Sequence, residues 1–269
     1  MKRVLANGYG LPMLGFGVYR LSDEEMMERA IIAAIQAGYR LFDTAQMYQN
    51  EALLGKALKT ANVHRDAIVL TTKVAPANMK IDCLRASVME SLQKLQSDYI
   101  DLLLIHWPGQ DKTRLLACWN ELIAFYKEGK AKAIGVSNAM IKHLEWLQEA
   151  EIQPMVNQIE VNIHNNQQNV CDYCQTHGIV VQAWSPLARA SFEDPVVEEL
   201  AKKYQCTPAQ LVLNWEMQKG ICVIPKSSHP SRIKENARTG IVLTRQDMTL
   251  LNSLNRYKDM SYNPYTYDY

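Results

Sequence analysis

The stretch IDLLLIH, residues 100–106, runs through leucine and isoleucine and ends on a histidine. Its apolar run, residues 102–105, is typical of a strand buried on both faces, as in a parallel sheet. Similar runs recur along the chain, each followed by a segment with helical period, which indicates βα units. We predict eight strands, at residues 13–18, 40–43, 68–73, 100–106, 133–137, 155–159, 180–184 and 222–226.

Eight βα units in 269 residues predict an α/β fold of the (β/α)8 type, a TIM barrel. No linker or low-complexity tract interrupts the pattern, so we expect a single domain over residues 1–269. Turn signals at Asn7-Gly8 and Gly10 predict an N-terminal β-hairpin that closes the barrel floor. Five tyrosines crowd the C-terminal tail, as a packing arm or as part of a pocket wall: Tyr257, Tyr262, Tyr265, Tyr267 and Tyr269.

Capping and glycine signals mark the ends of several predicted helices. A capping box from Ser22 to Glu25 is expected to open the first helix, which Gly38 ends. A second box is expected to run from Thr207 to Gln210, with proline at the first helical position. These signals agree with the helical spacing of the apolar residues between the strands.

Composition narrows the class of partner. The formal net charge is +1 and no uncharged apolar run reaches about 18 residues, so we expect neither nucleic acid nor a membrane as a partner. The first residues lack the apolar core of a secretory signal, which predicts a cytoplasmic protein. Cys171 and Cys174 have metal or redox spacing, but with Val170 they fall on one face of a predicted helix. We expect them to pack there and expect no metal.

Polar side chains end several of the predicted strands. In order they are Asp43, Lys73, His106, Ser137, Asn138, Gln158, Trp184 and Lys226. In an eight-stranded parallel barrel these ends converge on one mouth, where the chemistry of the fold is placed. Burying ionisable groups without partners is costly, so an acid, a lysine and a histidine on successive strands indicate a catalytic site.

The motifs around these strand ends, taken in order, resemble the aldo-keto reductases. They are D-T-A-x-x-Y from Asp43 to Tyr48, T-T-K ending at Lys73, L-I-H-W-P around His106, G-V-S-N ending at Asn138, N-Q-I-E around Gln158 and I-P-K-S ending at Ser227. The chain most resembles the short bacterial members of the 2,5-diketo-D-gluconate and methylglyoxal reductase type. This likeness implies reduction of small aldehydes and ketones by NADPH, with methylglyoxal, 2,5-diketo-D-gluconate and other α-dicarbonyls as candidate substrates.

The resemblance assigns a catalytic tetrad to Asp43, Tyr48, Lys73 and His106. Hydride added to a carbonyl carbon leaves negative charge on the oxygen, so a proton donor is needed about 3 Å away, and the family uses the residue matching Tyr48. A free phenol has a pKa of about 10. A lysine cation about 4 Å away stabilises the phenolate by about 4 kcal/mol at an effective dielectric of about 20, before desolvation opposes it.

We therefore expect Lys73 to bring the pKa of Tyr48 towards neutrality and Asp43 to hold Lys73 in a buried ion pair. His106 is expected to be a neutral imidazole that donates one hydrogen bond to the substrate oxygen. The expected substrate contacts are Tyr19, Tyr48, His106 and Trp107.

The chain has no Rossmann fingerprint, so the residues themselves do not indicate a dinucleotide site. The cofactor contacts are therefore given as the resemblance implies them. Ser137, Asn138 and Gln158 match the residues that hydrogen-bond the nicotinamide carboxamide, and Trp184 matches the aromatic that stacks on the ring. Lys226, Ser227 and Arg232 form a candidate 2′-phosphate site, which favours NADP(H), and Asn236 matches an adenine contact. The remaining expected cofactor contacts are Val18, Tyr19, Ser185 and Leu187. His229 and Arg189 depart from the residues usual at their positions.

Two other functions compete with the reductase. A metal-dependent barrel hydrolase could use Asp43 and His106 as ligands, but it would need further histidines or carboxylates at strand ends. A nucleotide-binding or structural protein without catalysis is the other alternative, against which the complete tetrad argues. The family also leads us to expect a monomer.

Overall fold

The computed structural model describes residues 1–188, 194–256, 263–264 and 266. Arg189 and all five tyrosines of the C-terminal tail lie outside the described residues. The strands are β1 Lys2–Val4, β2 Gly10–Pro12, β3 Phe16–Gly17, β4 Leu41–Asp43, β5 Val69–Val74, β6 Ile100–Ile105, β7 Ala131–Ser137, β8 Val156–Glu160, β9 Val180–Trp184 and β10 Cys222–Val223.

Strands β3 to β10 form one sheet of eight parallel strands that follow one another in chain order. The first and last strands meet through a parallel bridge between Leu14 and Val223, and Gly15 N–H donates to the Val223 carbonyl at 2.8 Å. The Pro225 carbonyl still accepts from Gly17 N–H at 3.1 Å, but Pro225 has no N–H to donate in return, so the regular ladder ends there. The predicted barrel is confirmed, while its first and last strands are shorter than the predicted 13–18 and 222–226.

Among the described residues, ten α-helices connect and cover the strands. They are α1 Glu24–Gln36, α2 Glu51–Thr60, α3 Ile81–Leu95, α4 Lys112–Lys127, α5 Ile141–Leu147, α6 Gln168–Thr176, α7 Pro195–Lys203, α8 Pro208–Gln218, α9 Pro230–Asn236 and α10 Arg245–Asn252. The capping box of α8 is confirmed, since Thr207 and Gln210 exchange hydrogen bonds. The box predicted at Ser22 is wrong by one residue. The carboxylate of Asp23 accepts from Met26 N–H and caps α1.

The N-terminal hairpin lies at the opposite end of the barrel from the strand ends named above. β1 and β2 pair antiparallel, and Tyr9 between them donates from its hydroxyl to Asp101 at 2.7 Å. Asp101 stands at the start of β6, accepts from Leu70 N–H at 3.0 Å and pairs with Arg65 at 2.6 Å. These contacts at the amino ends of β5 and β6 confirm the hairpin as the floor of the barrel.

Side-chain size is restricted inside the barrel. A Cβ added to Gly135 of β7 would lie 2.4 Å from the Val156 carbonyl oxygen, so only glycine fits there. On the outside, Cys171 and Cys174 are buried on α6, as expected for packing residues. All six cysteines are free thiols. No helix among the described residues is long and apolar enough to cross a membrane.

Candidate active site

The carboxyl ends of β4, β5 and β6 bring four predicted residues together. Asp43 is the last residue of β4, Lys73 lies near the end of β5 and His106 directly follows β6. Tyr48 ends a short 3-10 turn, Gln46–Tyr48, that follows β4. The tyrosine therefore reaches the mouth of the barrel from a loop, as expected.

Lys73 is the centre of the cluster. Its Nζ lies 2.5 Å from Asp43 Oδ1, 2.9 Å from the Thr44 carbonyl oxygen and 3.4 Å from Tyr48 Oη. The side chain of Lys73 is 0% exposed and that of Asp43 is 2% exposed. The three ammonium N–H groups therefore all have partners, and the expected buried ion pair is present.

The second oxygen of Asp43 is held from across the barrel. Gln158 of β8 donates from Nε2 to Asp43 Oδ2 at 2.7 Å and to Gln182 Oε1 of β9 at 2.7 Å. A hydrogen-bonded chain therefore runs from Gln182 through Gln158 and Asp43 to Lys73 and on to Tyr48.

The electrostatic expectation for Tyr48 is wrong in direction. Burial raises the pKa of Tyr48 above its ordinary value of 10.0, and Lys73 opposes this rise without reversing it. Burial also acts to lower the pKa of Lys73, but the attraction of Asp43 and the bonds to Asp43 and Tyr48 together outweigh it and raise that pKa. Lys73 is thus protonated and positively charged, and it lies beside a protonated phenol.

His106 matches the expectation of a neutral ring. Burial, and next the charge of Lys73, lower its pKa well below the ordinary value of 6.5. Its Nδ1 is buried and has no hydrogen-bond partner among the described residues. The ring stands edge-on to the Tyr48 ring, with centroids 5.5 Å apart. A neutral imidazole keeps one N–H with which to donate.

Two amide side chains fix the loop that carries Tyr48. Gln46 Oε1 accepts from Ala75 N–H at 2.8 Å, which ties the turn to the segment after β5. Asn50 Nδ2 donates to the carbonyls of Val18 and Leu21 at 2.9 and 3.0 Å. Since both neighbouring loops are anchored to this turn, the phenol position is set by backbone contacts as well as by Lys73.

The cluster opens into a cavity of about 840 Å³. The predicted residues that line it are Tyr19, Asp43, Tyr48, His106, Trp107, Ser137, Asn138, Gln158, Trp184, Ser185, Leu187, Lys226, Ser227, Arg232 and Asn236. Lys73 lies behind this lining, in contact with Tyr48. Val18 does not line the cavity. Its side chain is 0% exposed, its N–H donates to the Asp43 carbonyl and its carbonyl accepts from Asn50, and its contact with a cofactor stays a prediction.

Other lining residues were missed by the sequence reasoning. They are Gly17, Arg20, Met47, Pro186, Thr207, Pro208, Ala209, Ile224, Pro225 and Glu235. Several belong to helix starts and loops, whereas the strand-end pattern finds only side chains at the carboxyl ends of β-strands. The Thr207-Pro208 capping signal placed a helix start correctly without showing that it borders the cavity.

The donor set of the cavity fits a phosphorylated dinucleotide. A cavity of this volume lies in the usual range for ligand sites. Near the tetrad, Trp184 Nε1 donates to Asn138 Oδ1 at 2.9 Å, beside buried Ser137 and Gln158. Elsewhere in the lining stand the cations Arg20, Lys226 and Arg232, and burial followed by the charge of Arg20 lowers the pKa of Lys226. Clustered cations in a cleft are suited to phosphate.

Metal ligands do not gather in the part of the chain that the structure describes. No group of three or more histidine, cysteine, aspartate or glutamate side chains there could hold a metal ion. Asp43 is instead engaged by Lys73 and Gln158.

Known proteins match the chain over nearly its whole length. Residues 8–256 match the model of the Aldo/keto reductase family. The glyoxal reductase of Bacillus subtilis is 40% identical over 263 residues, covering 97% of this chain and 95% of the relative. The methylglyoxal reductase DkgA of Escherichia coli K12 is 43% identical over 236 residues, covering 86% and 85%. The solved structure of a Bombyx mori aldo-keto reductase in complex with NADP has a TM-score of 0.90 and 31% identity, covering 96% of this chain and 94% of that one.

The family match covers all eight barrel strands, the loop of Tyr48 and the cationic segment at Lys226. Fold, motif order and similarity over most of the chain agree. This chain belongs to the aldo/keto reductase family.

Proposed function

We propose that this protein reduces small aldehydes and ketones to alcohols with NADPH, with Tyr48 as the proton donor. The observation that carries the proposal is the position of Lys73. Its Nζ lies 3.4 Å from Tyr48 Oη while Asp43 and Thr44 hold its remaining N–H groups, at the foot of a cavity large enough for cofactor and substrate. This arrangement suits proton donation to an oxygen that gains negative charge.

NADPH, when bound, supplies hydride to the carbonyl carbon. Ser137, Asn138 and Gln158 are proposed to hold its carboxamide and Trp184 to stack on the nicotinamide ring. Tyr19, Ser185, Leu187 and Asn236 are proposed as further cofactor contacts, and Lys226, Ser227 and Arg232 as the site of the 2′-phosphate. The likeness to a Bombyx mori enzyme solved with NADP supports this choice of cofactor.

Tyr48 releases its proton to the substrate oxygen as negative charge develops there. Because burial alone would make the phenol a poorer acid, the cation of Lys73 is needed to stabilise the phenolate that forms. Asp43 keeps Lys73 charged in a site where burial acts to neutralise it. His106, neutral at physiological pH, orients the carbonyl through one N–H.

The substrates are proposed to be small carbonyl compounds, with α-dicarbonyls such as methylglyoxal first and 2,5-diketo-D-gluconate next. Relatives named glyoxal reductase and methylglyoxal reductase support this class. Tyr19 and Trp107 are proposed as walls of the substrate region; both line the cavity, and the Tyr19 ring lies 4.9 Å from that of Tyr48.

We also propose a cytoplasmic monomer that folds as one domain over residues 1–269 and has neither nucleic acid nor a membrane as a partner. The six free thiols support a reducing compartment. The near-neutral charge of +1 supports a small-molecule substrate.

The test is oxidation of NADPH, followed by its absorbance, by the purified chain with methylglyoxal, glyoxal and 2,5-diketo-D-gluconate. We expect turnover that a chelator leaves unchanged and that is faster with NADPH than with NADH at low cofactor concentration. Arg232→Ala should weaken NADPH about tenfold and NADH little, as loss of one charge-assisted contact predicts. Arg29→Ala, on the exposed face of α1, is the control. NADPH binding without turnover of any carbonyl would contradict the proposal, and loss of activity to the chelator would favour the metal-dependent hydrolase.

A further inference from the structure

Asn50 stands where an asparagine ordinarily caps a helix. It is the N-cap residue of α2, and at that position the side-chain oxygen usually accepts from a backbone N–H of the first helical turn. The Asn50 side chain makes no such bond, although the residue is only 1% exposed. The start of α2 therefore lacks a stabilising contact, and the Asn50 amide bonds to other segments instead.

The Asn50 amide joins two loops at the barrel mouth. Its Nδ2 lies 2.9 Å from the Val18 carbonyl oxygen and 3.0 Å from that of Leu21. Carbonyl oxygens only accept, so both N–H groups are occupied there, and Oδ1 accepts from Thr44 Oγ1 at 2.7 Å. Each polar atom of the amide thus has a protein partner. Asn50 does not line the cavity, so these bonds hold the loops and not a ligand.

The two carbonyls that Asn50 holds belong to a strained turn. Leu21 N–H donates to the Val18 carbonyl at 3.0 Å and closes the turn, in which Arg20 has a left-handed backbone with a φ of 62°. A residue with a Cβ is disfavoured in that conformation and persists there only where surrounding contacts hold it. Asn50 supplies two of those contacts, one at each end of the turn.

The strained turn places Tyr19 against the Tyr48 ring. The two ring centroids are 4.9 Å apart, and Tyr19 lines the cavity while 46% of the residue is exposed. A ring that is this exposed takes its position largely from its own backbone. The conformation of the turn therefore decides how far Tyr19 stands from Tyr48.

We propose that Asn50 is a positioning residue that fixes Tyr19 against Tyr48 and so favours small carbonyl substrates over bulky ones. This inference rests on the proposed function, in which Tyr48 donates a proton and Tyr19 is a wall of the substrate region. With the turn held, Tyr19 narrows the space beside the Tyr48 hydroxyl, which then admits a methyl group more easily than an aromatic ring. Asn50 acts without touching substrate or cofactor.

The test measures kcat/KM for methylglyoxal and for benzaldehyde, with NADPH, in the unaltered chain and in Asn50→Ala. The ratio of the two values should fall about fivefold or more in the variant, because a loosened Tyr19 no longer excludes the larger ring. The loss with methylglyoxal should lie in KM, with kcat changed less than about threefold.

Asn214→Ala is the matched control. Asn214 is also a buried asparagine whose Nδ2 donates to two backbone carbonyls, those of Gln210 and Arg238, and it does not line the cavity. The variant removes the same kind of bracket from another loop and should keep the substrate ratio. A fall in the ratio as large as that in Asn50→Ala would overturn the inference.

A second readout needs no turnover. A fluorotyrosine in place of Tyr19 reports the mobility of this ring through its fluorine NMR resonance. The resonance should be one narrow line in the unaltered chain and in Asn214→Ala, and it should broaden or split in Asn50→Ala as the turn exchanges between conformations. A broad line in the unaltered chain would overturn the inference without any variant.

Asn50→Asp separates this role from helix capping. Aspartate caps a helix as well as asparagine does and still accepts from Thr44, but it cannot donate to the carbonyls of Val18 and Leu21. The substrate ratio should fall and the resonance should broaden as in Asn50→Ala. An unchanged ratio or an unchanged resonance in either Asn50 variant would overturn the inference. Resonances that behave as expected in a chain that turns over no carbonyl would instead contradict the proposed function alone.

Discussion

Removal of the Lys73 charge should slow proton donation by a predictable amount. The change is Lys73→Met, which keeps the length and apolar stem of the side chain. With Nζ 3.4 Å from Tyr48 Oη, a full phenolate is stabilised by about 5 kcal/mol at an effective dielectric of about 20. If half of that charge has developed in the transition state, the loss is about 2.5 kcal/mol, or about 70-fold in kcat.

Asp43→Asn should produce a similar loss by a different route. Burial acts to lower the pKa of Lys73, and Asp43 is the charge that most strongly opposes it. Without this carboxylate the buried lysine is neutralised and its field on Tyr48 is lost. Because both variants remove the same field, the double variant should be no slower than either single variant by more than about threefold.

The assay is single-turnover oxidation of bound NADPH by saturating methylglyoxal, with NADPH affinity measured separately by fluorescence. Affinity should change by less than about fivefold, because Lys73 does not line the cavity. If the double variant showed a loss of kcat equal to the product of the two single losses, this reasoning would be contradicted. Unchanged kcat in Lys73→Met would refute it outright.

Three further predictions concern pH and stability. Glu216 is fully buried, and burial raises its pKa well above 4.5, so the folded state keeps a proton that the unfolded chain releases. The free energy of unfolding should therefore fall as pH rises above about 4.5. Urea titrations at several pH values should show a flatter dependence of that free energy on pH for Glu216→Gln. Since the pKa of Tyr48 is raised above 10.0 and that of His106 is well below 6.5, kcat should stay flat between about pH 6.5 and 9.5, and a step near pH 7 would count against these assignments. Tyr9→Phe removes the bond to buried Asp101 and should cost about 2 kcal/mol in chemical unfolding while leaving kcat unchanged; equal stability would show that the floor hairpin is not anchored there.

The sequence predicted most of the barrel because buried parallel strands carry an unbroken apolar signal. All eight strands were predicted. The two strands at the seam were predicted too long, because their pairing forms only when the whole sheet closes, and there it is limited to one bridge at Leu14 and interrupted at Pro225. The N-cap of α1 was misplaced because Ser22 and Asp23 are both good caps, and only the backbone geometry decides between them.

The candidate site could be predicted at the strand ends and less well elsewhere. Thr207 and Glu235 reach the cavity from helices, whose position around a barrel has no local sequence signal. The direction of the pKa shift of Tyr48 was predicted wrongly. The charge of Lys73, which lowers this pKa, can be inferred from residue types. The burial of Tyr48, which raises the pKa and outweighs the charge, depends on how all the loops at the barrel mouth pack. Which end of the Gln158 amide faces the cavity likewise follows from its contact with Asp43, which lies far away in the chain.

Replacement of Tyr48 by phenylalanine tests the central claim most directly, because it removes one oxygen and leaves the ring that packs against Tyr19 and His106. The measurement is the single-turnover rate of methylglyoxal reduction, alongside the dissociation constant for NADPH. With Tyr48 as proton donor, the rate should fall by about 10³-fold or more while NADPH affinity changes less than about threefold. A Tyr48→Phe protein that binds NADPH and still reduces methylglyoxal at a rate within about tenfold of the unaltered chain would contradict the account.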